Sequence, residues 1–137
     1  MENLLHEFID AHVLDQLTQE AKKNPRLRMN KDMRTTSADQ SQRMLNALEP
    51  GTIVPIHRHP NSTETVAVLR GCIKQNYYNE HGELVLQRVI KASGDCPFYV
   101  VPQGMWHSTE CLKTGTIIFE SKDGAYEPLA PNDVLEK

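Results

Sequence analysis

The chain has 137 residues, of which 15 are Lys or Arg and 18 are Asp or Glu, so its formal net charge is −3. This length suits one domain with a single core. The basic residues are scattered along the chain, so we expect no nucleic-acid partner. No apolar run approaches the ~20 residues of a bilayer span, and the N-terminus lacks a basic and apolar signal segment. We therefore expect no membrane partner and a cytoplasmic location.

The first predicted element is an amphipathic helix over residues 8–23. Apolar residues recur there at intervals of three and four, as they do on the buried face of a helix. Asn24 and Pro25 should end it, because proline disfavours helical geometry in the residue before it. We expect residues 1–24 to form a helical segment that packs on the following domain.

From Leu27 onwards the pattern changes to short strands separated by turn residues such as Gly82 and Gly94. Short strands separated by turns at regular intervals, with little helix, are typical of an antiparallel sandwich or jelly-roll barrel. We therefore predict an all-β domain over residues 25–127, followed by an extended or loosely packed tail over residues 128–137. The predicted strands cover residues 28–30, 44–48, 52–57, 64–69, 73–78, 84–90, 97–101, 107–112 and 116–121.

Two histidines and a glutamate stand at a spacing that suits a metal ion. His57 and His59 are two residues apart, so on a strand their side chains point to one face. A turn at residues 60–62 lets the chain return with Glu64, and a separate strand can bring His107 to the same place. A His-x-His pair alone is more often surface or hydrogen-bonded histidine. We nevertheless predict a site for one divalent metal ion with four protein ligands: His57, His59, Glu64 and His107.

The residues around these ligands match two known motifs. Residues 51–71 follow the pattern Gly, five residues, His-x-His, four residues, Glu, six residues, Gly, and residues 102–107 follow Pro-x-Gly-x-x-His. These are the two motifs of the cupin superfamily, so the chain resembles a single-domain cupin. The second motif departs twice: Gly94 stands seven residues before Pro102 instead of five, and Cys111 stands where many cupins have Asn. Neither departure removes a ligand.

A narrower resemblance is to the WbuC family of cupin-fold metalloproteins. It rests on residues 25–30, 42–52 and 55–60, and on the late segment 119–129. Members of that family are often encoded among bacterial genes for surface-polysaccharide sugars, which implies a sugar or nucleotide-sugar context. Arg34 is a departure, because we expect many members to have His at that position.

The predicted ligand set does not identify the ion. Imidazole nitrogen together with one carboxylate oxygen suits Zn, Fe, Ni, Mn or Cu, and the order of affinities does not choose among them. Basic and amide side chains before the first motif are candidates for binding an anionic ligand, since an inward arginine pair would hold a carboxylate or phosphate. For any single arginine, an ordinary surface position is the alternative. The candidate substrate-binding residues are Arg26, Arg28, Asn30, Arg43 and Asn46.

Two classes of function are open at this point. In the first, the metal polarises a carbonyl or hydroxyl and a nearby group moves a proton, giving an isomerase, epimerase or lyase for a small polar, anionic, sugar-like molecule. An iron-dependent dioxygenase would be a redox version. The second is a non-catalytic, metal-dependent binding or sensor domain. Cupins commonly pair through sheet edges, so the resemblance also implies a homodimer.

Overall fold

The computed structural model, which describes residues 7–135, has one N-terminal helix followed by two antiparallel β-sheets. The helix, α1, spans Ala11–Lys23. A 3-10 helix at Pro131–Asp133 comes before the last strand. The strands are β1 (Arg28–Asp32), β2 (Ser41–Leu48), β3 (Ile56–His57), β4 (Glu64–Arg70), β5 (Cys72–Tyr78), β6 (Leu84–Lys91), β7 (Phe98–Val101), β8 (Trp106–Cys111), β9 (Thr116–Asp123) and β10 (Val134–Leu135).

Helix α1 begins three residues later than predicted because Asp10 caps it. The Asp10 carboxylate accepts a hydrogen bond of 3.1 Å from the Val13 N–H, which satisfies one of the free donors of the first turn. Asn24 ends the helix in an extended conformation, as predicted. The buried side chains of Leu17 and Ala21 pack on the outer face of one sheet. Residues 1–6 of the predicted helical segment lie outside the described part of the chain.

The two sheets face each other and enclose the main core. One has the strand order β1-β2-β9-β4-β7 and the other β10-β3-β8-β5-β6. Because strand residues alternate between faces, neighbours in sequence enter different layers: Ile117 on β9 contacts the helix side, whereas Ile118 points between the sheets. This arrangement confirms the predicted antiparallel jelly-roll barrel with an N-terminal helix. The core between the sheets holds Leu48, Val66, Val68, Ile73, Ile90, Cys111 and Ile118.

Two segments differ from prediction in ways that affect the site. Strand β3 has two residues instead of six, since Pro55 has no N–H to donate to a ladder. In the described part of the tail, residues 128–132 are exposed, whereas residues 133–135 pack on the barrel. Strand β10 pairs with β3, and Asp133, only 8% exposed, forms an ion pair of 2.8 Å with Arg58. The end of the described chain therefore braces the strand that carries His57.

No helix within residues 7–135 is long and apolar enough to cross a membrane.

Candidate metal centre

Three histidines converge at one end of the barrel. His57 on β3 pairs directly with His107 on β8, and their ring centroids are 4.2 Å apart. His59 lies just beyond the end of β3, with its ring 5.0 Å from that of His57. One nitrogen from each of the three rings lies within 4.8 Å of the others, so these side chains could hold a metal ion.

Backbone carbonyls fix the orientation of two of the three rings. The Nδ1 atom of His57 is 2.8 Å from the Pro55 oxygen, and that of His107 is 2.9 Å from the Met105 oxygen. Because a carbonyl oxygen can only accept, each Nδ1 carries the proton and each Nε2 keeps a lone pair. A metal-binding histidine normally has this kind of outer hydrogen bond. His57 and His107 are therefore prepared to bind a metal through Nε2.

Burial keeps the three imidazoles uncharged. Burial is the main reason that the pKa of His57 is lowered. It is also the main reason that the pKa values of His59 and His107 are lowered to about 3. The positive charge of Lys122 lowers all three pKa values further. Neutral imidazole is the form that binds a metal ion. The chemistry of the three side chains thus fits a bound cation at neutral pH.

Glu64, the fourth predicted ligand, lies beside the three histidines rather than among them. Its side chain on β4 is 5% exposed, and its Oε1 is 3.8 Å from the Nε2 of His107. It also forms a hydrogen bond with the half-buried Glu120 on β9. Burial raises the pKa of both carboxyls, and the charge of Glu120 raises that of Glu64 further. The raised pKa values favour a proton shared between the two carboxyls in the metal-free protein.

Sequence reasoning missed two charged residues at this site, Glu120 and Lys122. Both alternate with the core residue Ile118 on β9, so both point into the barrel. The amide of Asn46 donates a hydrogen bond to Glu120, and Lys122 Nζ is 3.8 Å from Glu64 Oε2. The alternation with Ile118 is the signal that could have identified them.

Three of the five predicted substrate-binding residues, Arg28, Asn30 and Asn46, lie on the barrel-facing side of the sheet that contains β1 and β2. Arg28 pairs with the core residue Leu48, and Asn30 pairs with Asn46. Burial lowers the pKa of the Arg28 guanidinium, and nearby Glu120 opposes this shift. Arg28 and Asn46 therefore act on the site through Glu120.

Arg43 does not face the cavity, contrary to our expectation. It alternates on β2 with Leu45, which packs against α1, so it points to the helix side of the sheet. There its guanidinium forms an ion pair of 2.9 Å with Asp39. Arg26 is exposed and precedes β1, and its carbonyl accepts a hydrogen bond from the Thr52 hydroxyl.

A cavity of about 530 Å³ opens next to His59, and a smaller one of about 90 Å³ lies between Glu64 and Glu120. Gln42 and Lys122 line both of them. Residues 123–130, after β9, form much of the wall of the larger cavity. None of the five predicted substrate-binding residues lines either cavity, so other side chains must contact a ligand there.

The fold occurs in several solved structures with low sequence identity. KdgF from Halomonas sp. has a TM-score of 0.58 at 16% identity, over 74% of this chain and 82% of that one. Oxalate oxidase in complex with the substrate analogue glycolate has a TM-score of 0.62 at 17% identity, over 80% and 57%. The capsular polysaccharide assembling protein CapF from Staphylococcus aureus has a TM-score of 0.62 at 17% identity, over 72% and 29%. These likenesses confirm the cupin fold.

Two comparisons concern the sequence itself. The germin-like protein 3-8 of Oryza sativa subsp. japonica is 35% identical over 60 residues, which is 44% of this chain. The chain spans about a quarter of the length of that curated relative. The family model described as a domain of unknown function, DUF6016, matches residues 9–90, more than half of the chain. The matched range contains His57, His59 and Glu64, and it ends before His107. This cupin-fold chain belongs to the DUF6016 family.

Proposed function

We propose that this protein is a metal-dependent cupin that acts on a small polar, anionic, sugar-like molecule. The proposed ligands are His57, His59, Glu64 and His107. The observation that carries the proposal is the convergence of three uncharged imidazoles, two of which have their Nδ1 protons held by backbone carbonyls. When bound, a divalent ion would supply Lewis-acid polarisation of a substrate carbonyl or hydroxyl.

The Glu64–Glu120 pair favours an enzyme over a non-catalytic binding domain. A positioned acid or base beyond the ligands themselves is what a proton-transfer reaction needs. Glu120 meets this requirement: it forms a hydrogen bond with Glu64, it lines the smaller cavity, and the Asn46 amide holds its carboxylate in place. Isomerisation, epimerisation and elimination all move a proton next to a carbonyl or hydroxyl. We therefore place the reaction in that group, with a metal-dependent sensor as the alternative.

We further propose that the protein acts in surface-polysaccharide metabolism. This role is supported by the resemblance of residues 25–30, 42–52, 55–60 and 119–129 to the WbuC family. The structural neighbour CapF is itself described as a capsular polysaccharide assembling protein. Both observations point to a sugar derivative as the substrate class.

We also propose that the protein forms a homodimer. The exposed apolar side chains of two edge strands support this. Leu84, Val85 and Leu86 on β6 and Phe98 and Val100 on β7 are exposed, at the ends of the two sheets. Unpaired edges with apolar side chains favour association with another chain. A monomeric mass in solution would contradict this part.

Metal analysis tests the central proposal. Gently purified protein should contain about one transition-metal ion per chain, as expected for a single site of this ligand type. His57→Ala should lower the metal content strongly and leave the β-sheet circular dichroism signal in place. His81→Ala is the matched control, because His81 is exposed in the turn after β5. Protein that binds no transition metal, or a His57→Ala variant with full metal content, would refute the proposal.

A further inference from the structure

Lys122 points into the barrel beside the proposed metal ligands, but it is not itself one of them. Its side chain is 17% exposed and points to the same face of β9 as Ile118 and Glu120. It lines both the larger cavity beside His59 and the smaller one between the two glutamates. Its ammonium therefore stands where the two cavities meet.

The polar contacts of Lys122 with Glu64 and His59 are long. Its Nζ is 3.8 Å from Glu64 Oε2 and 3.5 Å from His59 Nδ1. Both distances exceed the roughly 2.7–3.2 Å of an ordinary N–H···O hydrogen bond. Other ion pairs of this chain are closer, such as Arg58–Asp133 at 2.8 Å and Arg70–Asp15 at 2.7 Å. Space for an acceptor is therefore left in front of the ammonium.

The position of Lys122 beside the histidines also calls for an anion. A divalent cation held by the three imidazoles would be repelled by an ammonium 3.5 Å from one of them. The carboxylates of Glu64 and Glu120 would compensate two of these three positive charges and leave one. A negatively charged group in the cavity would be attracted by both positive charges. Cation binding and anion binding at this site should therefore support each other.

The rest of the cavity wall determines how much negative charge the ligand can carry. Among the described residues that line the two cavities, Lys122 is the only lysine or arginine. Asp123 and Glu127 also line the larger cavity and would repel a ligand with several negative charges, whereas Asp133 there is paired with Arg58. The neutral polar side chains there, which suit hydroxyl groups, are Gln40, Gln42, Asn61 and Ser62.

We propose that Lys122 binds the carboxylate of a hydroxylated monocarboxylate, such as a sugar acid, in the cavity beside His59. This inference rests on the proposed function, since it names the substrate class and its anchoring residue. The single positive charge accounts for one carboxylate, and the amide and hydroxyl lining accounts for the hydroxyls. A phosphate dianion would meet the same lysine, but the carboxylates of Asp123 and Glu127 would oppose it.

Calorimetric titration of zinc-loaded protein tests this assignment. Glucuronate and gluconate are the probes, glucose is the neutral control, and glucose 6-phosphate is the dianion. Lys122→Met should weaken glucuronate binding by about tenfold or more, as expected for loss of a hydrogen bond to a charged group. Lys122→Arg should retain most of the affinity, because it keeps the charge. Lys113→Met is the matched control: Lys113 is exposed in the turn between β8 and β9, at the end of these strands opposite His107 and Lys122.

The outcomes separate this inference from the proposed function. Zinc content is measured in each sample before titration. A wild-type protein that holds neither zinc nor any other divalent transition metal refutes the proposed function. Three results would overturn the inference alone. The zinc-loaded protein binds neither monocarboxylate, or it binds glucose 6-phosphate more tightly than glucuronate, or the Lys122→Met variant binds glucuronate as tightly as the wild-type protein.

Discussion

Replacing His107 with Gln should change how the stability of the metal-free protein depends on pH. His107 is 3% exposed, and burial lowers its pKa from 6.5 to about 3. Between these two values the unfolded chain binds a proton at this residue and the folded chain does not. Stability therefore rises with pH across this window and is lost as the pH falls.

The size of the effect follows from the two pKa values. At about pH 5 the unfolded state gains about 2 kcal/mol from protonation of this one side chain, relative to about pH 7. The wild-type protein should therefore lose about 2 kcal/mol more than the His107→Gln variant over this interval. Glu64 acts in the opposite direction because its pKa is raised in the folded state, but it is present in both proteins.

Urea unfolding at the two pH values, with a chelator present to remove metal, measures this difference. His81→Gln serves as the control, because His81 is exposed and should leave the wild-type pH dependence unchanged. The reasoning is refuted if the wild-type and His107→Gln proteins lose the same free energy of unfolding between about pH 7 and about pH 5.

Two further substitutions separate the roles of other residues. Glu64→Gln keeps a hydrogen-bond donor toward Glu120, so the metal-free stability should change by less than about 1 kcal/mol. Zinc affinity, measured by competition with a chelator, should fall because the carboxylate is gone; an unchanged affinity would mean that Glu64 is not a ligand. Arg43→Gln removes the partly exposed pair with Asp39, which should cost about 0.2–1 kcal/mol of stability. Metal and glucuronate binding should not change, and a loss of either would place Arg43 in the cavity after all.

The convergence of the histidines could be expected from sequence because it depends mostly on local rules. A spacing of two between His57 and His59, a turn at Pro60 and a second motif ending at His107 are visible in the sequence, although of that pair only His57 lies within a strand. The pairing of His57 with His107 then follows from the fold that these motifs indicate. The position of α1 could also be predicted from the sequence, apart from its first residue, which depends on the cap at Asp10.

The rest of the site depends on where strands begin and which strands become neighbours. Because β2 begins at Ser41 rather than at residue 44, Arg43 falls within the strand and three residues from Asn46, so the two face opposite sides. Glu120 comes next to Glu64 only because β9 lies between β2 and β4. The packed part of the tail depends on the Arg58–Asp133 pair, which joins residues far apart in sequence. Single-sequence patterns carry no information about such long-range neighbours.

The shortness of β3 has a consequence for the motion of the site. His57 and His59 are carried by two strand residues and an irregular stretch, tied down by a few backbone bonds such as Arg58 N–H to Asp133 O and Gly104 N–H to His59 O. Segments with so little regular pairing open without the whole domain unfolding. Amide hydrogen exchange should therefore be faster at residues 56–59 and 134–135 than at the centres of β5 and β9. We expect such opening to separate two of the three imidazoles from the third while the barrel stays folded, which would give an ion a path into and out of the site.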